Sequence, residues 1–411
     1  MLFSYFYNLP VFSYSVTGEN ELRLYDFLGI YLFFQYFHHL PKISIEISKV
    51  LFLKRFQTFV LYCSVSVIIT ILVAVYKERF ISLAQSFLYL YHLWVFYLGG
   101  VFFYIYLKDK NRYYKILRFI VILIILEGVL VLLQNLKLIP FLWSEAYGVS
   151  YHWFLSGTFG PNKIVLGMSM LISIVFLIGV MNEPRIEKNR ILIYVAIGLA
   201  SVTLLLSGSR TTYVGIIFFL LYFFLTQTGR FIVFVIIGTF LFGVVLLFTP
   251  TIVDRISETL ENRVTYAMED PGDVIQYRES RGVYDELSAG RVELHMKYVE
   301  YLLNHPYVIP FGRGFMNRMG VGNSAHNMYL SLISEVGILG LILFIRWLLS
   351  FMLISKGKMP GLQLALNGLI IAMMVTLYFG EHLYVYRPLF ALLGYFILIC
   401  IMLTIPLRNT K

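Results

Sequence analysis

Arg210 sits in the polar knot Ser207-Gly-Ser-Arg-Thr-Thr212, between two strongly apolar runs. A charge at membrane depth costs roughly 2.5–3.5 kcal/mol on insertion scales, so it needs a reason. Two reasons are open. The side chain can snorkel to lipid phosphate. Alternatively it can clamp an anion, with Ser209 and the glycine allowing close backbone approach and the guanidinium fork meeting phosphate oxygens bidentately. Ser156-Gly-Thr-Phe-Gly-Pro-Asn-Lys163 is a second polar turn just before an apolar run. It reads either as a plain helix start, with Pro161 near the first position, or as a set of free N–H groups beside Asn162 that favour an anion. Arg291 opens a helical stretch and, taken alone, reads as a solvated arginine. His326 and Asn327 lie in Asn323-Ser-Ala-His-Asn-Met-Tyr-Leu330, at the start of another apolar run. A histidine there is either a cap or interfacial residue, or the side chain best suited to general base work near neutral pH. Glu335 lies farther along the same run, where it would partner a base or pair with an arginine. Gly337 and Gly340 beside it suit close helix packing.

Other chemistries have no matching residues. The sequence holds no Gly-rich phosphate loop ending in Lys-Ser/Thr and no His-Glu-x-x-His pair. It also lacks a Gly-x-Ser-x-Gly elbow. Asp270 and Asp273 are only a weak substitute for a metal-binding Asp-x-Asp pair. The expectation is therefore a reaction without metal or cofactor. Cys63 and Cys400 both fall inside apolar runs and read as small buried hydrophobes, not as a disulfide framework or zinc site.

These residues need elements to hold them. The 411-residue chain is 59% apolar and only 14% charged, where a soluble domain is about 25% charged. Eleven apolar runs stand out: 24–40, 58–75, 82–107, 116–136, 164–181, 191–207, 211–226, 231–249, 328–354, 362–380 and 385–405. Lacking strand alternation, they read as helices, since backbone in hydrocarbon must satisfy its own hydrogen bonds. The expected fold is all-α, a single polytopic bundle over 1–411 with eleven spans, or twelve if 1–23 completes another. Lys and Arg concentrate in alternate short loops, from Lys42, Lys49, Lys54 and Arg55 to Arg408 and Lys411. That side should be cytoplasmic. Residues 250–327 then form one large extracytoplasmic loop, flanked by the core 150–405. Eight Lys and Arg against 11 Asp and Glu make that loop −3, while the whole chain is +10. The basic balance is thus a topology signal, and no nucleic-acid partner is expected. Within the loop, Ser288 to His305 reads as a helix with Val292, Met296, Val299 and Leu303 on one seam. Arg291 and His295 lie at its edge. Pro306 ends the helix, and Arg313 follows in the glycine-rich turn Pro310-Phe-Gly-Arg-Gly-Phe315.

Taken together, the motifs resemble the O-antigen ligase and polymerase superfamily of bacterial membrane glycosyltransferases. The resemblance rests on Gly157-Thr-Phe-Gly-Pro-Asn162, Leu206-Ser-Gly-Ser-Arg210, Ala289-Gly-Arg291 with His305-Pro306 and Gly312-x-Gly314, and His326-Asn327 leading to Glu335-x-Gly337-x-x-Gly340. It covers about 150–410; the first 150 residues match only in their spans and in the run containing Asp26. It implies a glycosyltransferase of the bacterial inner membrane, working at the extracytoplasmic face on glycans carried by undecaprenyl diphosphate. Arg210, Arg291 and His326 would be catalytic. Asn162, Ser209, Asn327 and Arg313 would bind substrate. The implied partners are the lipid-linked donor, a lipid-borne acceptor glycan, the bilayer and other polysaccharide-assembly proteins. Polymerase is preferred on the breadth of that group, with O-antigen ligase as the alternative. A flippase or transporter is a second alternative, and it would predict internal repeats and midplane charges. A scaffold protein would leave the two arginines and the histidine without a shared location.

Overall fold

The computed structural model describes residues 1–8, 10–13, 21–77, 80–140, 142, 155, 157–160, 163–186, 189–233, 235–236, 239, 291–317, 325–354, 359–384 and 390–405. The described chain is helical apart from one short hairpin, β1 (Pro10–Ser13) against β2 (Glu21–Arg23). Its helices are α1 (Leu2–Phe6), α2 (Leu24–His38), α3 (Leu40–Ser48), α4 (Leu51–Tyr76), α5 (Phe80–Tyr106), α6 (Lys110–Asn135), α7 (Lys163–Met181), α8 (Arg190–Leu206), α9 (Arg210–Thr226), α10 (Arg291–Asn304), α11 (Val308–Phe311), α12 (Met328–Met352), α13 (Pro360–Thr376) and α14 (Phe390–Thr404). Each apolar run except 231–249 coincides with one of them. Most of 231–249, the loop 251–290 and the Asp270/Asp273 pair lie outside the described residues.

Among the described residues, α4, the stretch Leu83–Tyr106 of α5, α6, α7 and α12 are long and apolar enough to cross a membrane. α8, α9, α13 and the Ala391–Thr404 stretch of α14 are shorter apolar helices. At 1.5 Å per residue, the 26 residues of α6 reach about 39 Å, more than a hydrocarbon core of about 30 Å. α7 is apolar on every face, and every residue from Val165 to Val180 is buried. A helix of that kind belongs at the centre of a bundle. α4, α12 and α14 are joined by aromatic contacts. Phe56 stacks on Trp347 with centroids 4.2 Å apart, and Trp347 meets Phe396 edge-on. Farther out, Asp26 at the start of α2 bonds His92 of α5, with Oδ1 and Nε2 2.5 Å apart. Both are buried, so the pair ties two apolar helices through a group each would otherwise leave unsatisfied.

One helix departs from expectation. Gly337 lies inside α12 at φ 71°, ψ 179°, so the helix is broken there. Gly337 does not serve helix-on-helix packing, as its size alone implied. It opens a gap that the turn after α11 fills. A Cβ on Gly337 would come within 2.3 Å of the Pro310 carbonyl oxygen, and one on Gly312 within 2.2 Å of the Glu335 carbonyl oxygen. The break frees carbonyls, and the turn satisfies them. Arg313 N–H donates to Ser334 O at 3.1 Å and Gly314 N–H to Glu335 O at 2.9 Å. Tyr62 of α4 donates to Val336 O. A broken helix in an apolar setting is sustained when the carbonyls it frees find protein donors, as Ser334, Glu335 and Val336 do. Gly340, one turn on, does take a packing role, with Tyr62 close above it.

Candidate active site

The turn Ser207-Gly208-Ser209 joins α8 to α9 and sets Arg210 at the first position of α9. Gly208 takes the left-handed conformation, φ 61°, that the reversal needs. Ser207, Ser209 and Thr212 are all buried. Thr212 donates its hydroxyl to Ser209 Oγ at 2.9 Å, and Ser207 donates to Leu204 O at 2.7 Å. Gly167 of α7 lets this knot approach closely; a side chain there would meet Thr212 Oγ1 at 2.6 Å. The hydroxyls, Ser209 included, are therefore engaged inside the turn. What the turn presents outward is the exposed Arg210.

Arg291 opens α10 half-buried and donates from Nη1 to Phe379 O at 2.8 Å, just beyond the end of α13. Burial lowers its pKa, and the positive charge of Arg210 lowers it further. The two guanidiniums thus share one electrostatic environment, although they are 81 residues apart in sequence. His295, one turn along α10, lies against the backbone of Ala325 and His326. Its pKa is lowered first by burial and then by Arg291, with the backbone at His326 and Ala325 offsetting part of the shift. Its ring also meets Tyr378 edge-on at 5.8 Å.

His326 is exposed and holds φ 49°, a left-handed conformation rare for a side chain of this size. Next to it, Asn327 is buried and caps α12, its Oδ1 accepting from Tyr329 N–H at 3.0 Å and Leu330 N–H at 3.2 Å. Arg313 is buried over the ring of Tyr301, 5.0 Å from its centroid, and so fastens the glycine-rich turn to α10. Arg210, Arg291 and His326 are therefore brought to one end of the bundle, while Ser209, Asn327 and Arg313 are bonded into the elements that carry them. Asn162 lies outside the described residues.

Glu335 proves to be an anchor. Its Oε2 accepts from Met316 N–H at 3.0 Å and from Tyr384 O–H at 2.7 Å. The turn at 157–160 is likewise engaged within the protein. Thr158 N–H donates to Glu127 Oε1 at 2.7 Å, and its hydroxyl reaches Glu127 Oε2 at 2.6 Å. Gly157 is at φ 58° with the same carboxylate in the space a side chain would need.

Sequence reasoning missed the stretch 377–384, which organises the site. Leu377 O accepts from Met328 N–H, and Phe379 O holds Arg291. Glu381 accepts from Ser331. His382 Nε2 pairs with Thr376 Oγ1 at 2.9 Å. His382 is fully buried, and burial, with Arg291's charge second, pushes its pKa down to about 3. The available signal was Gly380-Glu-His382, three non-apolar residues closing an apolar run. Two cations that repel one another, beside neutral imidazoles, suit an anion of more than one charge.

Residues 195–345 match the O-antigen ligase family. The match supports the O-antigen ligase/polymerase superfamily that the motifs resemble, and it takes in Arg210, Arg291, Arg313, His326 and Glu335. A search of curated proteins found no match.

Proposed function

We propose, with the O-antigen ligase/polymerase superfamily as the premise, that the chain polymerises lipid-linked oligosaccharide repeat units. The donor is a glycan on undecaprenyl diphosphate, and the acceptor is a sugar hydroxyl on a second lipid-linked repeat. His326 takes the acceptor proton as the acceptor oxygen bonds to the anomeric carbon. The bond from that carbon to the diphosphate breaks in the same displacement, with inversion, and the electron pair leaves on the phosphate oxygen. Arg210 and Arg291 hold that charge as it develops. Fixed donors of this kind contribute about 3 kcal/mol each when measured by removal. Ser209, Asn327 and Arg313 serve by fixing the helix starts and the turn next to the substrate, and Asn162 binds from the 157–162 turn. No metal ion or cofactor takes part in this reading.

The observation that carries it is the convergence of Arg291 with Arg210 in charge and with His326 through His295. Eleven spans would place this end of the bundle outside the cytoplasm, at the bacterial inner membrane, with 250–327 as the covering loop. The alternative reading is an O-antigen ligase, the name the matched family carries, with the glycan passed to lipid A core.

Purified protein in liposomes, given lipid-linked repeats alone, separates the readings. Longer lipid-linked chains support polymerase. Transfer that begins only when lipid A core is added supports ligase. Movement of the substrate across the bilayer without any new glycosidic bond would overturn both. Arg291→Ala and His326→Ala should each lower the rate by at least about 100-fold at unchanged expression. Retained synthesis would remove the role given to that residue.

A further inference from the structure

α10 divides into three faces rather than two. Tyr298 and Leu302, four residues apart, are buried against the protein, Tyr298 at 1% exposure. Arg291 and His295 border that face on the side of the candidate site. Lys297, Glu300 and Asn304 form an exposed polar flank, with Lys297 paired to Glu293 at 2.6 Å. Between the two runs Met296, Val299 and Leu303, at steps of three and four residues, and these are exposed as well, Leu303 at 72%. The seam visible in the sequence is thus not the buried face of α10.

The apolar flank continues beyond the helix. Tyr307 and Phe311 follow it, with Phe311 at 60% exposure. The Phe311 backbone closes on Gly337 of α12, and the next residue, Ile338, is 47% exposed on a helix long and apolar enough to span a membrane. Exposed apolar side chains therefore recur from Ile338 of α12 through Phe311 and Tyr307 to the flank of α10, with the charged flank on its far side. One face toward protein, one flank toward hydrocarbon and one toward water is the arrangement of a helix lying in the interfacial plane of a bilayer.

We infer that α10 is an interfacial helix whose Met296–Val299–Leu303 flank is seated in the acyl chains of the leaflet bordering the candidate site. Seated there, Arg291 and His295 stand at the level of the lipid phosphates. The inference rests on burial and continuity alone and holds whichever reaction the site performs.

The test is depth-dependent fluorescence quenching on the full chain in nanodiscs. Cys63 and Cys400 are both buried and stay silent to a thiol-reactive bimane label. Met296→Cys and Leu303→Cys report the apolar flank, and Lys297→Cys and Glu300→Cys the polar one; all four positions are exposed, so the substitutions leave packing intact. Lipids with a doxyl group near the headgroup should quench 296 and 303 about twofold or more and leave 297 and 300 nearly unchanged, while aqueous iodide gives the reverse. Iodide quenching at 296 and 303 equal to that at 297 and 300 would overturn the inference, because the flank would then face water. Protection of 296 and 303 from both quenchers would overturn it too, because another protein segment would then cover the flank.

Discussion

Replacing Gly337 with alanine tests the broken-helix reading of α12 most directly. The residue holds φ 71°, ψ 179°, a region essentially reserved for glycine, where another residue pays about 1–3 kcal/mol. The new Cβ would also lie 2.3 Å from Pro310 O and 2.5 Å from Phe311 N. Both are backbone atoms, so no side-chain rotation relieves the overlap. Either the turn retreats or α12 straightens. In each case the bonds from Arg313 N–H to Ser334 O and from Gly314 N–H to Glu335 O are lost, at about 1 kcal/mol apiece. The total is about 3–5 kcal/mol, a large share of the roughly 5–15 kcal/mol that holds a folded domain together. Thermal unfolding in detergent should show Gly337→Ala melting more than about 5 °C below the parent. Gly198→Ala is the control. That glycine is in the helix α8 with nothing within 4 Å of a built Cβ, and alanine there should be neutral or gain up to about 1 kcal/mol. If Gly337→Ala melts with Gly198→Ala, the reasoning is refuted, for the turn cannot then be wedged into the break.

Three further outcomes follow from the same geometry. His326→Gly should be about 1 kcal/mol more stable than His326→Ala by thermal unfolding, because φ 49° costs alanine and not glycine, while neither variant extends chains; equal melting would remove the strain. His382 has its folded pKa lowered to about 3, so the unfolded chain, near 6.5, binds more protons below neutrality. Stability should therefore fall as pH drops below about 6.5, by about 2 kcal/mol between pH 7 and pH 5. His382→Asn should flatten that part of the pH profile of melting, and an unchanged slope would show that another group carries it. Glu335→Ala leaves Met316 N–H and Tyr384 O–H buried without their acceptor, costing about 2–5 kcal/mol, and a melting loss below about 1 kcal/mol equivalent would contradict the anchoring role.

The helices were legible because hydropathy reports burial in lipid and in protein alike, and the runs along α4, α5, α6, α7 and α12 are long enough to span. Arg210 and His326 drew notice because polar residues at the ends of such runs need a reason, and Arg291 only through the Ala289-Gly-Arg291 motif. The partners were not. Glu127 is one acid in an apolar run, and the Thr158 that engages it is 31 residues away. Gly337 resembles any small residue in a span until Pro310 and Phe311 are brought against it. Asn327 and Ser209 carry polar atoms suited to a ligand, yet the first N–H groups of α12 claim Asn327 Oδ1 and the Thr212 hydroxyl claims Ser209 Oγ. The seam of α10 had the right period, but period alone does not separate a face turned to protein from one turned to lipid.

The wedge at Gly337 also bears on the order in which the protein can be made. Thr70 of α4 donates its hydroxyl to Phe315 O, and its backbone closes on Gly314, while Tyr62 reaches Val336 O across 274 residues. The turn at 312–316 is thus held between a helix made early and one made after the turn itself. The partners of Thr70 are made with the turn, and that of Tyr62 only with α12. Arg291 waits still longer, because the Phe379 carbonyl that fixes it is made after α12. A chain stopped short of residue 379 would carry both arginines and the histidine without the carbonyl that aims Arg291. The candidate site is therefore completed only after α13 has been made, with α14 still to follow.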